Sequence, residues 1–298
     1  MTQRAALIVN PIKSTNDDVA KAVRDLSTSE GWDSPLEIET TAEDPGFGQA
    51  KEALAAGVDV VLAAGGDGTV RAVAHELAGT DVPLGLIPLG TGNLLARNLE
   101  LPLNNIADAT RRAMLGEDHQ IDVVYATLDH ADERHLFLVM AGIGFDAAVM
   151  ADTNDVLKDR VGWLAYVDAG IRNLPGKPSK TRIAINGQAP MRRRLRSVMG
   201  GNCGKIQGGL EIFPGAKLDD GVLDIMTVAP SGAFGWIGVA AKLLRRNKGK
   251  DPAVEYFQGQ SAEIDSEEPL EIQLDGDHLG QARHLAMELD AGVLTIRH

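Results

Sequence analysis

Val58-Asp59-Val60-Val61-Leu62-Ala63-Ala64 runs directly into Gly65-Gly66-Asp67-Gly68-Thr69, and apolar residues then recur at Val70, Val73 and Leu77. The first seven residues have the apolar character of a buried strand, and the spacing after Thr69 is that of a helix. A strand, a glycine-rich turn and a helix start together form an arrangement that binds phosphate. Glycines let backbone N–H groups approach closely, and the helix end adds partial positive charge. Thr69 is placed to cap that helix. Asp67 is the informative residue. A carboxylate beside phosphate is repelled unless Mg2+ or water bridges the two, so an acid here points to metal-assisted phosphoryl chemistry. The competing reading is a type I′ or II turn in which Asp-Gly only reverses the chain.

Residues 84–87 form the next strand and lead through Pro88 and Leu89 into a second turn, Gly90-Thr91-Gly92-Asn93, with a short helical stretch to Arg97. Residues 5–9, 36–39 and 58–63 complete a set of four strands, with helices expected over 16–30, 47–56 and 69–78. Such alternation predicts parallel βαβ units, an α/β domain of three layers with helices on both faces of the sheet. Parallel strands end along one edge, where ligands collect. The two glycine-rich turns should therefore face each other, and Asn10-Pro11-Ile12-Lys13-Ser14 leaves the first strand at the same edge. Lys13 either adds charge to bound phosphates or is solvated. The pattern Gly-x-x-x-x-Gly-Lys-Ser/Thr is absent and no Gly-x-Gly-x-x-Gly follows the first strand, which argues against ordinary P-loop and dinucleotide sites.

Beyond residue 122 the texture changes. Short strands are expected over 121–128, 136–141, 180–185, 195–199, 223–228, 262–264, 270–274 and 293–296, separated by Gly, Pro, Asn and Asp turns. This predicts an antiparallel β-rich domain interrupted by helices over 155–174 and 231–247. The expected division is residues 1–122 for the α/β domain and 123–298 for the β-rich domain, with a cleft between them.

Forty-two acidic residues against 29 basic ones give a formal charge of −13, which argues against nucleic acid as a partner. The single cysteine, Cys203, precludes an internal disulfide and fits a reducing cytoplasm. No apolar run approaches spanning length, so membrane contact would be peripheral, at the inner face, through a local basic patch. Candidates are Arg192-Arg193-Arg194-Leu195-Arg196 and residues 233–250, where Phe234, Trp236, Ile237 and Val239 precede Lys242, Arg245, Arg246 and Lys248. The second stretch fits an interfacial helix and equally a packed helix with a solvated basic end. A homodimer is left open.

Several motifs together carry a resemblance: Asn10-Pro11, Gly65-Gly66-Asp67-Gly68-Thr69, Gly90-Thr91-Gly92-Asn93, Ala141-Gly142-Ile143-Gly144-Phe145-Asp146, Asn202 and Pro214-Gly215-Ala216-Lys217-Leu218-Asp219-Asp220-Gly221. The chain resembles the diacylglycerol kinase catalytic-domain family, specifically its soluble bacterial lipid kinases, over nearly the full length. More distantly it is similar to NAD kinases and 6-phosphofructokinases. The first glycine motif is shared with NAD kinases; the second, with Leu218-Asp219-Asp220-Gly221, separates the lipid kinases from them.

The resemblance implies a Rossmann-like α/β domain of the phosphofructokinase/NAD-kinase type followed by an antiparallel β-sandwich domain. It implies transfer of the γ-phosphoryl of ATP to a lipid hydroxyl, on diacylglycerol or a related lipid, with Mg2+. By the same resemblance Asn10, Pro11, Lys13, Ser14, Thr41, the turn of Gly65, Gly66, Asp67, Gly68 and Thr69, and Thr91, Gly92 and Asn93 correspond to the ATP site. Asp67 corresponds to an acid tied to catalytic Mg2+. Lys217, Asp220 and Val222, the last through its carbonyl, correspond to a structural Mg2+ site, where the turn chemistry of Asp-Asp-Gly offers a plain alternative. The family's proton-accepting Glu in Asp-Gly-Glu is matched here by Asp277 in Asp275-Gly276-Asp277. Asp277 is the candidate base, Asp275 a neighbour or substitute, and a hairpin turn the structural alternative. Val70-Arg71-Ala72 also departs from the family's x-Asn-Glu. Two other functions stay open: a NAD-kinase-like phosphotransferase acting on a soluble acceptor, and a nucleotide-binding regulator without catalysis.

Overall fold

Continuous apolar runs leave no strand face for water in the N-terminal region. β1 (Ala5–Val9), β3 (Val60–Gly65) and β4 (Leu84–Pro88) are buried at every residue, whereas β2 (Leu36–Glu39) alternates half-buried and exposed positions as an edge strand does. The computed structural model describes residues 2–11, 16–144, 178–206, 210–230, 239 and 253–298. Lys13, Ser14, Phe145, Asp146 and the helices expected over 155–174 and 231–247 lie outside the described residues. The strand order is β4-β3-β1-β2, and every pairing among the four is parallel.

The helices are α1 (Asn16–Ser29), α2 (Phe47–Ala55), α3 (Asp67–Leu77), α4 (Leu94–Asn98) and α5 (Ile106–Leu115). α1 turns Val19, Val23 and Ser27, spaced four apart, to the interior. α5 lies outside the helices expected from the sequence, although its signal is present. The Asn105 side chain accepts the Asp108 N–H at 3.1 Å, and Ala109 and Ala113 repeat on its buried face. Small residues let this helix lie close on the sheet. A Cβ on Gly85 of β4 would come within 2.6 Å of the Ala113 carbonyl oxygen.

The rest of the chain is β-rich: β5 (Asp118–Leu128), β6 (Arg134–Phe137), β7 (Met140–Ile143), β8 (Ser179–Ile185), β9 (Met191–Leu195), β10 (Ser197–Gly201), β11 (Leu223–Val228), β12 (Val254–Gly259), β13 (Ser261–Leu274) and β14 (Asp277–Arg297). The pairings β5–β6, β7–β10, β7–β13, β8–β9, β8–β13, β10–β11, β11–β12 and β13–β14 are antiparallel. Alternate inward residues such as Phe137, Ile143, Ile183, Val198, Ile225 and Leu285 make one core, the packing of a β-sandwich.

Residues 1–123 with 291–298 form one compact unit and residues 124–290 the other. A single crossing at residue 122 therefore gives way to a chain that returns. The last residues of β14 pair in parallel with β4, Ile296 opposite Leu84. Glu117 and His298 exchange backbone hydrogen bonds at 3.2 and 3.1 Å.

Three other expectations are corrected. The strand expected over 136–141 is interrupted at Leu138 and Val139, whose N–H groups go to a side chain instead of a ladder. The run 195–199 is the junction of β9 and β10. The stretches 262–264 and 270–274 are one strand, β13, with an irregularity between Asp265 and Leu270. Among the described residues no helix is long and apolar enough to cross a membrane.

Candidate active site

The three turns that leave β1, β3 and β4 come together. The Asn10 N–H donates to the Ala64 carbonyl at 3.4 Å, and the Leu89 N–H donates to the Gly65 carbonyl at 2.9 Å. Where the two glycine-rich turns meet, a Cβ added to Gly90 would lie 2.6 Å from the Gly66 Cα. Only glycine at position 90 allows this approach. Asn93, buried and left-handed with φ 47°, closes its own turn. Its Oδ1 accepts the Gly90 N–H at 2.9 Å and its Nδ2 donates to the Gly90 carbonyl at 2.7 Å. Arg97, which the sequence reading did not single out, donates from Nε to the Gly92 carbonyl at 2.6 Å. Thr91 is exposed at the tip of this braced loop.

Asp67 is the first residue of α3 and half-buried. Its Oδ1 accepts the Leu94 N–H at 2.6 Å, at the start of α4. Its Oδ2 faces Gly92, where a Cβ would stand 2.4 Å away. The carboxylate thus cross-links the two turns. Thr69 does not cap the helix: α3 begins two residues earlier, its N-cap is Gly66, and no side chain caps it. Thr69 is buried instead, with its side chain against Gly65, where an added Cβ would lie 2.8 Å from the Thr69 Cβ. The first-turn amides of α3, with Gly66 and Gly68 half-buried beside them, form a helix end of the kind that receives phosphate.

Thr41 follows β2 as an exposed residue whose Oγ1 accepts the Asp44 N–H at 3.1 Å. Asp44, also missed, accepts the N–H groups of Gly46, Phe47 and Gly48 at 3.1, 2.8 and 2.9 Å. Partial burial pushes its pKa up, but the Gly46, Gly48 and Phe47 amides, with Lys51, outweigh this and hold it below the usual carboxylate value. An Asp shortly before an apolar-periodic run was the available signal.

In the other unit, Asp275 and Gly276 make a two-residue hairpin turn with φ 49° and 95°, the type I′ geometry that favours Asp-Gly. Asp275 is buried. Its carboxylate accepts the N–H groups of Leu138, Val139 and Met140 at 2.9, 2.8 and 3.0 Å. Both oxygens are engaged in holding a backbone segment, which is the work of a brace. Asn202 holds the same segment, donating from Nδ2 to the Leu138 carbonyl at 3.1 Å and from its N–H to the Val139 carbonyl at 2.9 Å. Asp277 opens β14 opposite Leu274 and is exposed. Lys217 and Asp220 are exposed and Val222 half-buried on one loop, where Asp220 Oδ1 accepts the Val222 N–H at 3.1 Å.

The donor sets fit Mg2+ in its usual form, few protein oxygens with the rest from substrate and water. Asp67 supplies a carboxylate beside an uncapped helix end. Asp220, with the carbonyls of Lys217 and Val222 on the same loop, would offer a second set of hard oxygens.

Residues 4–126 match the family described as "Diacylglycerol kinase catalytic domain" and residues 139–297 the family described as "YegS C-terminal NAD kinase beta sandwich-like domain". A relative from Pseudomonas syringae pv. tomato, named "Probable lipid kinase YegS-like", is 34% identical over 284 residues, covering 94% of this chain and 88% of its own. A solved diacylglycerol kinase from Bacillus anthracis superposes with a TM-score of 0.72 at 24% identity, over 99% of this chain and 97% of that one. An NAD kinase from Archaeoglobus fulgidus, solved in complex with ATP, shares the fold at a TM-score of 0.55 and 13% identity, over 99% and 94% of the two chains. The chain belongs to the diacylglycerol kinase catalytic-domain family, as a YegS-like lipid kinase.

Proposed function

We propose that this lipid kinase transfers the γ-phosphoryl of ATP to the hydroxyl of diacylglycerol or a related lipid. The observation that carries the reading is the contact between the two glycine-rich turns, with the Asp67 carboxylate docked across them at the start of α3. Phosphoryl transfer depends on alignment and charge neutralisation more than on covalent participation of the protein. The braced turns do the aligning. Backbone amides at the start of α3 would cradle the phosphates, and the loop locked by Asn93 and Arg97 would hold Thr91 and Gly92 beside them. Asp67 and the Lys217, Asp220 and Val222 loop would hold Mg2+, which when bound supplies positive charge to offset that of the triphosphate.

Asp277 would accept the proton of the acceptor hydroxyl. Unlike the buried Asp275, it is exposed and lies at the very start of a strand. Asp is one methylene shorter than the Glu of the family pattern, which requires the acceptor to sit correspondingly closer. Arg192, Arg193 and Arg194, exposed together on β9, would meet anionic headgroups at a cytoplasmic membrane face.

The test supplies γ-labelled ATP and Mg2+ to the purified chain with lipid extracts in mixed micelles. Label in an organic-extractable product, lost in Asp67→Ala, supports the reading. Label in a soluble dinucleotide, or nucleotide binding with no transfer to any acceptor, overturns it.

A further inference from the structure

At the end of β5 two consecutive non-glycine residues, Asp129 and His130, are left-handed, with φ 46° and 59°. Such backbone is unfavourable for a residue with a Cβ and is held here by Asp129. Its Oδ1 accepts the N–H groups of Arg283 and His284 at 2.8 and 2.9 Å, and its own N–H donates to the His284 carbonyl at 3.1 Å. The turn thereby delivers the exposed His130 ring onto the buried His284 ring of β14. Their centroids are 3.8 Å apart and their planes 27° from parallel. His284 stands directly opposite Asp265 in the β13–β14 ladder, with Nδ1 2.9 Å from Asp265 Oδ1. Arg182 takes the other oxygen, its Nη2 3.5 Å from Oδ2.

One metal-ligating atom from each of His130, Asp265 and His284 lies within 4.8 Å of the other two. Two ligands bound at about 2.0–2.1 Å to one ion stand at most about 4.2 Å apart. β13 and β14 hold His284 Nδ1 and Asp265 Oδ1 in register 2.9 Å apart, so the adjustment that brings all three within that distance would fall to the exposed His130 side chain.

We propose that His130, Asp265 and His284 form a binding site for one divalent transition-metal ion of the Zn2+ class. Two imidazole nitrogens and one carboxylate oxygen make a donor set that such ions prefer and that Mg2+, which takes oxygen ligands, does not. Arg182 fixes the carboxylate so that Oδ1 is turned to the imidazoles, the orienting role that groups behind a metal ligand commonly play. None of the three residues is assigned to phosphoryl transfer. Bound there, the ion would tie the turn after β5 to two strands of the second unit and raise the stability of that unit.

The test uses the full chain without an affinity tag, stripped with a chelator and titrated with Zn2+ against a chromophoric indicator. His130→Asn removes the imidazole while keeping a residue that tolerates the left-handed backbone, and Asp265→Asn removes the carboxylate charge. The expected result is one strong equivalent in the native chain, weakened at least about 10–100-fold in each variant. A Zn2+-dependent rise in melting temperature should appear in the native chain and be lost in both variants. Equal affinity in the native chain and His130→Asn, or displacement of Zn2+ by an equal concentration of Mg2+, overturns the proposal. An Asp265→Asn chain that melts like the native one in chelator and still binds Zn2+ as tightly overturns it as well.

Discussion

Replacing Gly90 with alanine tests whether the two glycine-rich turns must touch. An added Cβ would lie 2.6 Å from the Gly66 Cα and 2.8 Å from Asn93 Oδ1, whereas carbon atoms pack at about 3.5–4.0 Å. The first neighbour is main chain and cannot rotate aside, so the turns must part by about 1 Å. Forced overpacking of this kind costs about 1–3 kcal/mol. At roughly 3 °C per kcal/mol for a unit of this size, the melting temperature should fall by about 3–9 °C. Turnover should fall further than stability suggests. Asn93 is bonded both ways to Gly90, and the neighbouring Leu94 N–H is the partner of Asp67, so the displacement reaches the carboxylate. Gly66→Ala is the internal control. Its Cβ would meet the Gly90 Cα at 3.5 Å, an ordinary contact, on a backbone with φ −95° that any residue adopts, so its stability should change by less than about 0.5 kcal/mol. Thermal unfolding followed by circular dichroism on the three proteins decides the matter. A Gly90→Ala protein that melts with the native chain, or a Gly66→Ala protein that falls as far, would refute the close approach and the site built on it.

Asp275→Asn leaves one side-chain oxygen where two now serve three backbone N–H groups; denaturant unfolding should show a loss of about 2–4 kcal/mol, and an unchanged midpoint would dismiss the brace. Asp277→Asn should lower turnover by about 100-fold or more at unchanged melting temperature, with Asp277→Glu retaining activity; a fully active Asp277→Asn enzyme removes that residue as the base. Asp118 is held below the ordinary carboxylate value of 3.8 by its hydrogen bond from Arg297, which is bidentate at 2.7 and 2.8 Å. The folded-state pKa lies below the unfolded one, so this stabilisation is complete above 3.8 and is lost as pH falls through the folded value. Melting temperature followed downward from pH about 5 should therefore decline less in Asp118→Asn than in the native chain, and parallel curves would contradict it.

What the sequence made legible is what chain-local physics encodes. The strands of the first unit announce themselves because residues buried on both faces must be apolar without interruption, and the turns that follow because glycine is needed where two backbones touch. The acids behave differently. Asp67 stands out as a charge beside expected phosphates, and Asp275-Gly276 as turn chemistry, yet each carboxylate is committed to backbone N–H groups far along the chain: 27 residues away at Leu94 and 135–137 residues away at Met140, Val139 and Leu138. Every residue except proline carries that same donor, so no pattern of side chains marks the recipient. The same cause interrupts the strand expected over 136–141: its apolar residues read as ladder, but three of its N–H groups are claimed by an aspartate that only the fold brings near. It follows that what each of these carboxylates can do depends on whether amide donors already occupy its oxygens. By that criterion Asp275 is fastened in place, and Asp67 gives Oδ1 to the turns while Oδ2 lies against Gly92. The glycine at position 92 is then a condition for Asp67 to sit where it does, since any larger residue would occupy the space of that second oxygen.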